Sequence, residues 1–116
     1  MKFRFQDLQI WQVAIENSDE LLNIADELEK HKLFRFSEQL RGAVMSISNN
    51  IAEGSGSTSK IEFNNFLNYA RRSTFETANI LIIIQRRGFL SEEGLNIHLD
   101  KLDKECRMIT NFKKTL

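Results

Sequence analysis

Proline is absent from this chain of 116 residues, and glycine occurs only five times, four of them in two short stretches, Gly54 with Gly56 and Gly88 with Gly94. The strongest helix breaker is missing and the next strongest is confined, so long runs stay uninterrupted and helix is favoured. Cysteine occurs once, at Cys106, which rules out an internal disulfide and fits a reducing compartment. No stretch approaches the ~18 uncharged apolar residues of a membrane span, and Met1 to Asp7 lacks the continuous apolar region of a secretory signal. The expectation is a cytoplasmic protein with no membrane partner. An excess of either charge is lacking too: 16 basic residues balance 16 acidic ones, so only a local patch could attract nucleic acid.

What is present is a globular balance of 41% apolar and 28% charged residues, too hydrophobic for a disordered chain. The length suits one domain, residues 1–116, around a single core. Leu8, Trp11, Ile15, Leu22 and Ala25, with Ala14, Leu21 and Leu28 beside them, form an apolar seam that predicts a first helix from Asp7 to about His31, interrupted at Ser18. A second helix is expected from an N-cap at Ser37 through Leu40, Ala43, Val44, Ile47 and Ile51 to a stop at Gly54. Ser59 and Glu62 have capping-box spacing at the start of a third, Lys60 to Arg87, with Phe63, Phe66, Leu67, Ala70, Thr74, Thr77, Leu81 and Ile84 facing the core and Gly88 ending it. The fourth begins at Ser91, is helped by Glu92 and Glu93 near its positive end, repeats at Leu95, Leu99, Leu102, Cys106 and Ile109, and finishes near Lys113 and Lys114. Short links between such helices predict an all-α, antiparallel, up-and-down four-helix bundle.

The β-branched run Asn79 to Ile84 reads in isolation as a buried strand, yet no second strand exists to pair with it, so it is assigned to the third helix. There it spans more than a full turn, too wide for one core-facing stripe. Ile80, Ile82 and Ile83 are therefore the candidate apolar face of a homo-oligomer; the plainer reading is a wide core face helped by Phe3 and Phe5.

Catalytic chemistry finds little support. Di-metal bundles need Glu-x-x-His pairs, but Leu28 precedes His31 and Leu95 precedes His98 at that spacing, so both histidines read as surface residues. Cys106 sits on an apolar seam, where a thiol behaves as a small hydrophobe. The Gly54 to Ser59 loop with Lys60 lacks the spacing of a phosphate-binding glycine fingerprint and is better explained by helix capping. No enzyme activity, cofactor or metal is expected. The local positive clusters are Arg41, Arg71, Arg72, Arg86 and Arg87, candidates for an RNA or DNA surface whose binding would fall steeply with salt; the plainer reading is solvated or salt-bridged helix faces.

Several stretches carry a resemblance: Phe5-x-Asp7-Leu8-x-x-Trp11, Gln39-Leu40-Arg41, Ala43, Ser46-Ile47, Asn50-Ile51-Ala52-Glu53-Gly54, Glu62-Phe63, Phe66-Leu67, Tyr69-Ala70-Arg71, Ser73 and Glu76. In these the chain resembles the four-helix-bundle family named after proteins encoded in 23S ribosomal RNA intervening sequences. The resemblance implies a homopentameric ring and no enzyme. Relatives include the accessory protein of diversity-generating retroelements, a basic pentamer that binds a reverse transcriptase and nucleic acid. Gly42 and Ser57 stand where that family often has basic residues, which weakens the nucleic-acid branch, while Arg72 partly offsets the loss. The leading expectation is a scaffold or adaptor that presents a surface to a protein partner.

Ser46, Asn50 and Glu53 fall at i, i+4 and i+7 on one polar stripe, and Ser73 and Glu76 make a similar stripe on the third helix. Glu53 and Glu76 are expected to form an ion-paired network, within or between subunits, that sets register, with Arg41 and Arg71 as natural partners. The alternative is that both glutamates are exposed helix formers.

Overall fold

Helical periodicity becomes helix at each place where the spacing predicts it. The computed structural model describes residues 1–116 and contains α1 (Gln9–Lys30), α2 (Phe34–Ser55), α3 (Lys60–Arg86) and α4 (Glu92–Lys113), with a 3-10 turn at Arg4–Asp7 and no strand. Asn79 to Ile84 is helical because Ile80, Leu81 and Ile84 all find the core from one helix face.

The helix ends follow from local chemistry. Ser59 Oγ accepts the Glu62 amide hydrogen at 3.2 Å, and Ser91 Oγ accepts that of Gly94 at 3.0 Å, each satisfying one of the unpaired first-turn amides. At Ser59 only this half of the capping box forms. Gly88, at φ +88°, ends α3: its amide reaches the Gln85 carbonyl while Phe89 reaches that of Ile84. The same pair of bonds ends α1, from Lys32 to Glu29 and from Leu33 to Leu28, but there the left-handed position is filled by Lys32 at φ 63°.

Two boundaries differ from expectation. Ser37 does not cap α2; it lies buried within the first turn, its hydroxyl donating to the Phe34 carbonyl at 3.0 Å, and the helix begins one turn earlier after Leu33. Gly54 does not stop α2 either. The helix continues to Ser55, and Gly54 is buried where α2 crosses α3, so near that an added Cβ would lie 2.7 Å from Phe66 Cβ. α1 starts at Gln9 rather than Asp7 because Arg4–Asp7 winds as a 3-10 turn, with Phe5 packed on Trp11 at 5.1 Å between ring centres.

All four helices contribute to one cluster of 19 buried hydrophobic residues, among them Leu21, Leu40, Ile51, Leu67, Leu81, Ile84 and Ile109. Burying each of these larger side chains contributes roughly 1.5–3 kcal/mol. α2 and α3 share the most extensive helix interface and α1 and α4 the least. The looser α1–α4 seam is polar: Glu105, fully buried, accepts a hydrogen bond from Asn17, and Glu20 pairs with Lys101 at 2.8 Å. The connections after α1 and after α3 sit at the same end, where Leu28, His31 and Leu33 face Gly88 and Phe89 across a cavity of about 650 Å³.

Candidate interaction surface on α2 and α3

Close approach of α2 and α3 requires small residues where they touch, and Ser46 and Ser73 meet that need, their hydroxyl oxygens 2.8 Å apart. Each neighbour extends the contact. Asn50 Nδ2 donates to both the Ser46 carbonyl and its Oγ, at 2.8 and 2.9 Å, while Ser73 Oγ donates to the Tyr69 carbonyl at 3.0 Å. With the Ser73 proton on that carbonyl, Ser46 must donate to Ser73, and a directed chain runs from Asn50 through Ser46 and Ser73 to Tyr69. This chain forms the floor of an open groove of about 380 Å³ whose other walls are Tyr69, Arg72 and Glu76.

Four of the five residues proposed to set register, Ser46, Asn50, Ser73 and Glu76, are thus gathered in one groove, together with Arg72. Glu53 is exposed on α2 and does not line it. Within the chain neither Glu53 nor Glu76 forms an ion pair, and the partners expected for them are engaged elsewhere. Arg41 turns toward α1, bonding Asp26 at 2.8 Å, Glu29 at 3.2 Å and, on its own helix, Glu38 at 3.1 Å. The hydrogen bonds it donates to Asp26 and Glu29 raise its pKa above the usual arginine value, and with three carboxylates around it Arg41 is a charged clamp between α1 and α2 rather than a free cation. Arg71 turns toward α4, where its Nε donates to Thr110 Oγ1 at 3.1 Å and its guanidinium lies 5.2 Å from the Phe75 ring centre.

The five arginines therefore do not form one surface. Arg41 faces α1, Arg71 faces α4, Arg72 rims the α2–α3 groove, and Arg86 and Arg87 are exposed at the far end of α3. The three isoleucines separate as well. Ile80 is only 8% exposed and belongs to the core, because its position on the helix points toward α2; Ile82 and Ile83 remain about 39% and 40% exposed. Phe75, at 59%, and Tyr69, at 49%, are also exposed on α3, Phe75 on the side toward α4 and Tyr69 on the side toward α2.

His98 departs from the surface reading: its side chain is largely covered, burial holds its pKa below the usual histidine value, and Glu20 opposes that shift from 3.8 Å. Glu105 was hidden by its charge, although its spacing with Leu102, Cys106 and Ile109 places it on the apolar face of α4. Cys106 is buried beside it. No group of three or more His, Cys, Asp or Glu side chains is placed to hold a metal ion, and no helix is long and apolar enough to cross a membrane.

A model of the 23S rRNA-intervening sequence protein family matches residues 6–111. The fold is shared with a crystal structure of a protein with unknown function from the S23 ribosomal protein family of Bacteroides thetaiotaomicron. That chain is 23% identical with a TM-score of 0.85, the match covering 90% of this chain and 98% of that one. No curated protein matches the sequence.

Proposed function

Because the chain belongs to the 23S rRNA-intervening sequence protein family, we propose that it is a non-enzymatic helical adaptor, a homopentamer of antiparallel up-and-down bundles that presents a surface to a protein partner. The single observation that carries self-association is the set of large apolar side chains left uncovered on α3, where Phe75, Ile82 and Ile83 remain between 39% and 59% exposed. Scattered exposed apolar residues are ordinary, but Phe75, Ile82 and Ile83 all lie on the side of α3 turned away from the core, where association would cover them. Beside them, Arg72 and Glu76 lack ion partners in their own chain and are placed to pair across a subunit boundary.

The antiparallel arrangement is supported by contacts that join opposite ends of neighbouring helices: Asp26 near the end of α1 with Arg41 on α2, Gly54 near the end of α2 with Phe63 on α3, and Phe63 near the start of α3 with Phe112 at the end of α4. A nucleic-acid role through the five arginines is the weaker reading, since Arg41 is neutralised by three carboxylates and the others face different directions.

The test is the solution mass by light scattering after size exclusion. Five subunits for the natural chain, and a smaller species for Ile83→Glu, are the expected results. A stable monomer at high concentration overturns the adaptor ring.

A further inference from the structure

The groove between the middle of α3 and the end of α4 is lined by polar and basic side chains alone. About 330 Å³ in volume, it is lined by Asn68, Arg71, Thr110, Lys113 and Lys114, with three cations and no carboxylate among them. None of the three forms an ion pair with any acidic side chain or with the Leu116 carboxylate. On a chain of no net charge this is a local concentration of one sign. Lys113 and Lys114 do complement the negative end of the α4 dipole, but that role does not account for Arg71, which comes from the middle of α3.

Arg71 is also held in place. Its Nε is fixed by Thr110 and its guanidinium plane is backed by Phe75, leaving its terminal nitrogens without a partner in the chain. A guanidinium immobilised in this way has lost part of its side-chain entropy before any ligand arrives, and its free edge matches two oxygens of a tetrahedral anion. Two lysine ammonium groups on the facing helix supply point charges for the remaining oxygens, and Asn68 and Thr110 supply neutral polar atoms.

From this we infer that the α3–α4 groove is a receptor for a phosphate group, either free or carried as an ester, with Arg71 as its fork and Lys113 and Lys114 as its counter-charges. The site is separate from the α2–α3 groove and does not depend on the subunit count.

The experiment compares the melting temperature of the full chain in inorganic phosphate and in chloride at equal ionic strength, with calorimetric titration of phosphate alongside. A ligand that binds only the folded state raises the melting temperature, and the rise grows with the logarithm of ligand concentration above its Kd. Phosphate should stabilise the natural chain more than chloride does, and Lys113→Gln/Lys114→Gln should weaken its affinity by about tenfold or more, the loss expected for charge-assisted hydrogen bonds. These two lysines lie at the surface end of α4, so their replacement leaves the core intact; Arg71→Lys, which keeps the charge and loses the fork, should be intermediate. A short single-stranded RNA that displaces phosphate identifies a phosphodiester source, whereas failure to displace it identifies a small phosphate compound. Equal melting temperatures in phosphate and chloride, or a phosphate effect unchanged in the double variant, overturn the inference.

Discussion

Asn17 on α1 donates its Nδ2 hydrogen to Glu105 Oε2 on α4 at 2.9 Å, while the other carboxylate oxygen of Glu105 is buried with no partner. Desolvation pushes the Glu105 pKa up to about 7, and the Asn17 hydrogen bond opposes it only in part. Its usual value is 4.5, so between about pH 4.5 and 7 the folded state holds a proton that the unfolded state has released. Stability from this group is then fully present below about pH 4.5 and is lost as pH rises through 7, by roughly 1–3 kcal/mol. His98, held low by burial, contributes the opposite slope, since its stabilisation fades as pH falls through its lowered value. Glu105→Gln isolates the first effect: the variant should melt higher than the natural chain in mildly alkaline buffer and the same or lower in acid. Parallel melting curves for both proteins across this range would remove Glu105 as the titrating group.

Gly54 and Gly42 lie on the same helix and should respond oppositely to alanine. A Cβ on Gly54 meets Phe66 Cβ at 2.7 Å and Phe63 Cδ1 at 2.8 Å, and α2 and α3 would have to part to admit it. Gly54→Ala should cost about 1–3 kcal/mol, the usual range for overpacking. Gly42 has nothing within 4 Å, so Gly42→Ala should stabilise by about 0.5–1 kcal/mol through helix propensity alone. Chemical denaturation of the two variants measures both signs in one experiment.

Lys32 occupies the left-handed position that glycine occupies at the end of α3. A side chain there crowds the following carbonyl, at a cost of about 1–2 kcal/mol that glycine avoids. Lys32→Gly should therefore raise stability by about 1 kcal/mol, less whatever unfolded-state entropy glycine adds. An unchanged or lowered denaturation midpoint would mean that the lysine side chain makes a compensating contact.

Features written in local chemistry were readable from the sequence. Ser59, Gly88 and Ser91 end or begin helices because their side chain, or lack of one, acts on amides within four residues, and Thr74 and Thr77 lie in the core because the helical period puts them there. Features that depend on a second helix were not. Gly54 is both a poor helix former and a close-contact residue, and only the position of Phe66 decides between the two. Arg41 finds Asp26 and Glu29 through the α1–α2 crossing, which no spacing along one helix encodes. The polar stripe Ser46, Asn50, Ser73 and Glu76 was legible as two half-stripes, since each obeys the helical period, but their joining in one groove, and the entry of Arg72 in place of Arg41, follow from α2–α3 register.

That register yields the sharpest test of the proposed assembly. Glu76 and Arg72 share a groove, both exposed, and form no ion pair with each other. If they pair across a subunit boundary, reversing either charge places like charges together in the assembly while leaving the isolated bundle almost unaffected, since single exposed charges contribute little to folding. Glu76→Arg and Arg72→Glu should each lower the solution mass by light scattering with helicity retained, and the combined swap should restore it. Glu53→Ala, on the neighbouring turn of α2, should weaken assembly in the same direction if it joins the network. Charge reversals that leave the mass at its natural value would confine these side chains to solvent, and the apolar strip of Phe75, Ile82 and Ile83 would then have to hold the subunits without them.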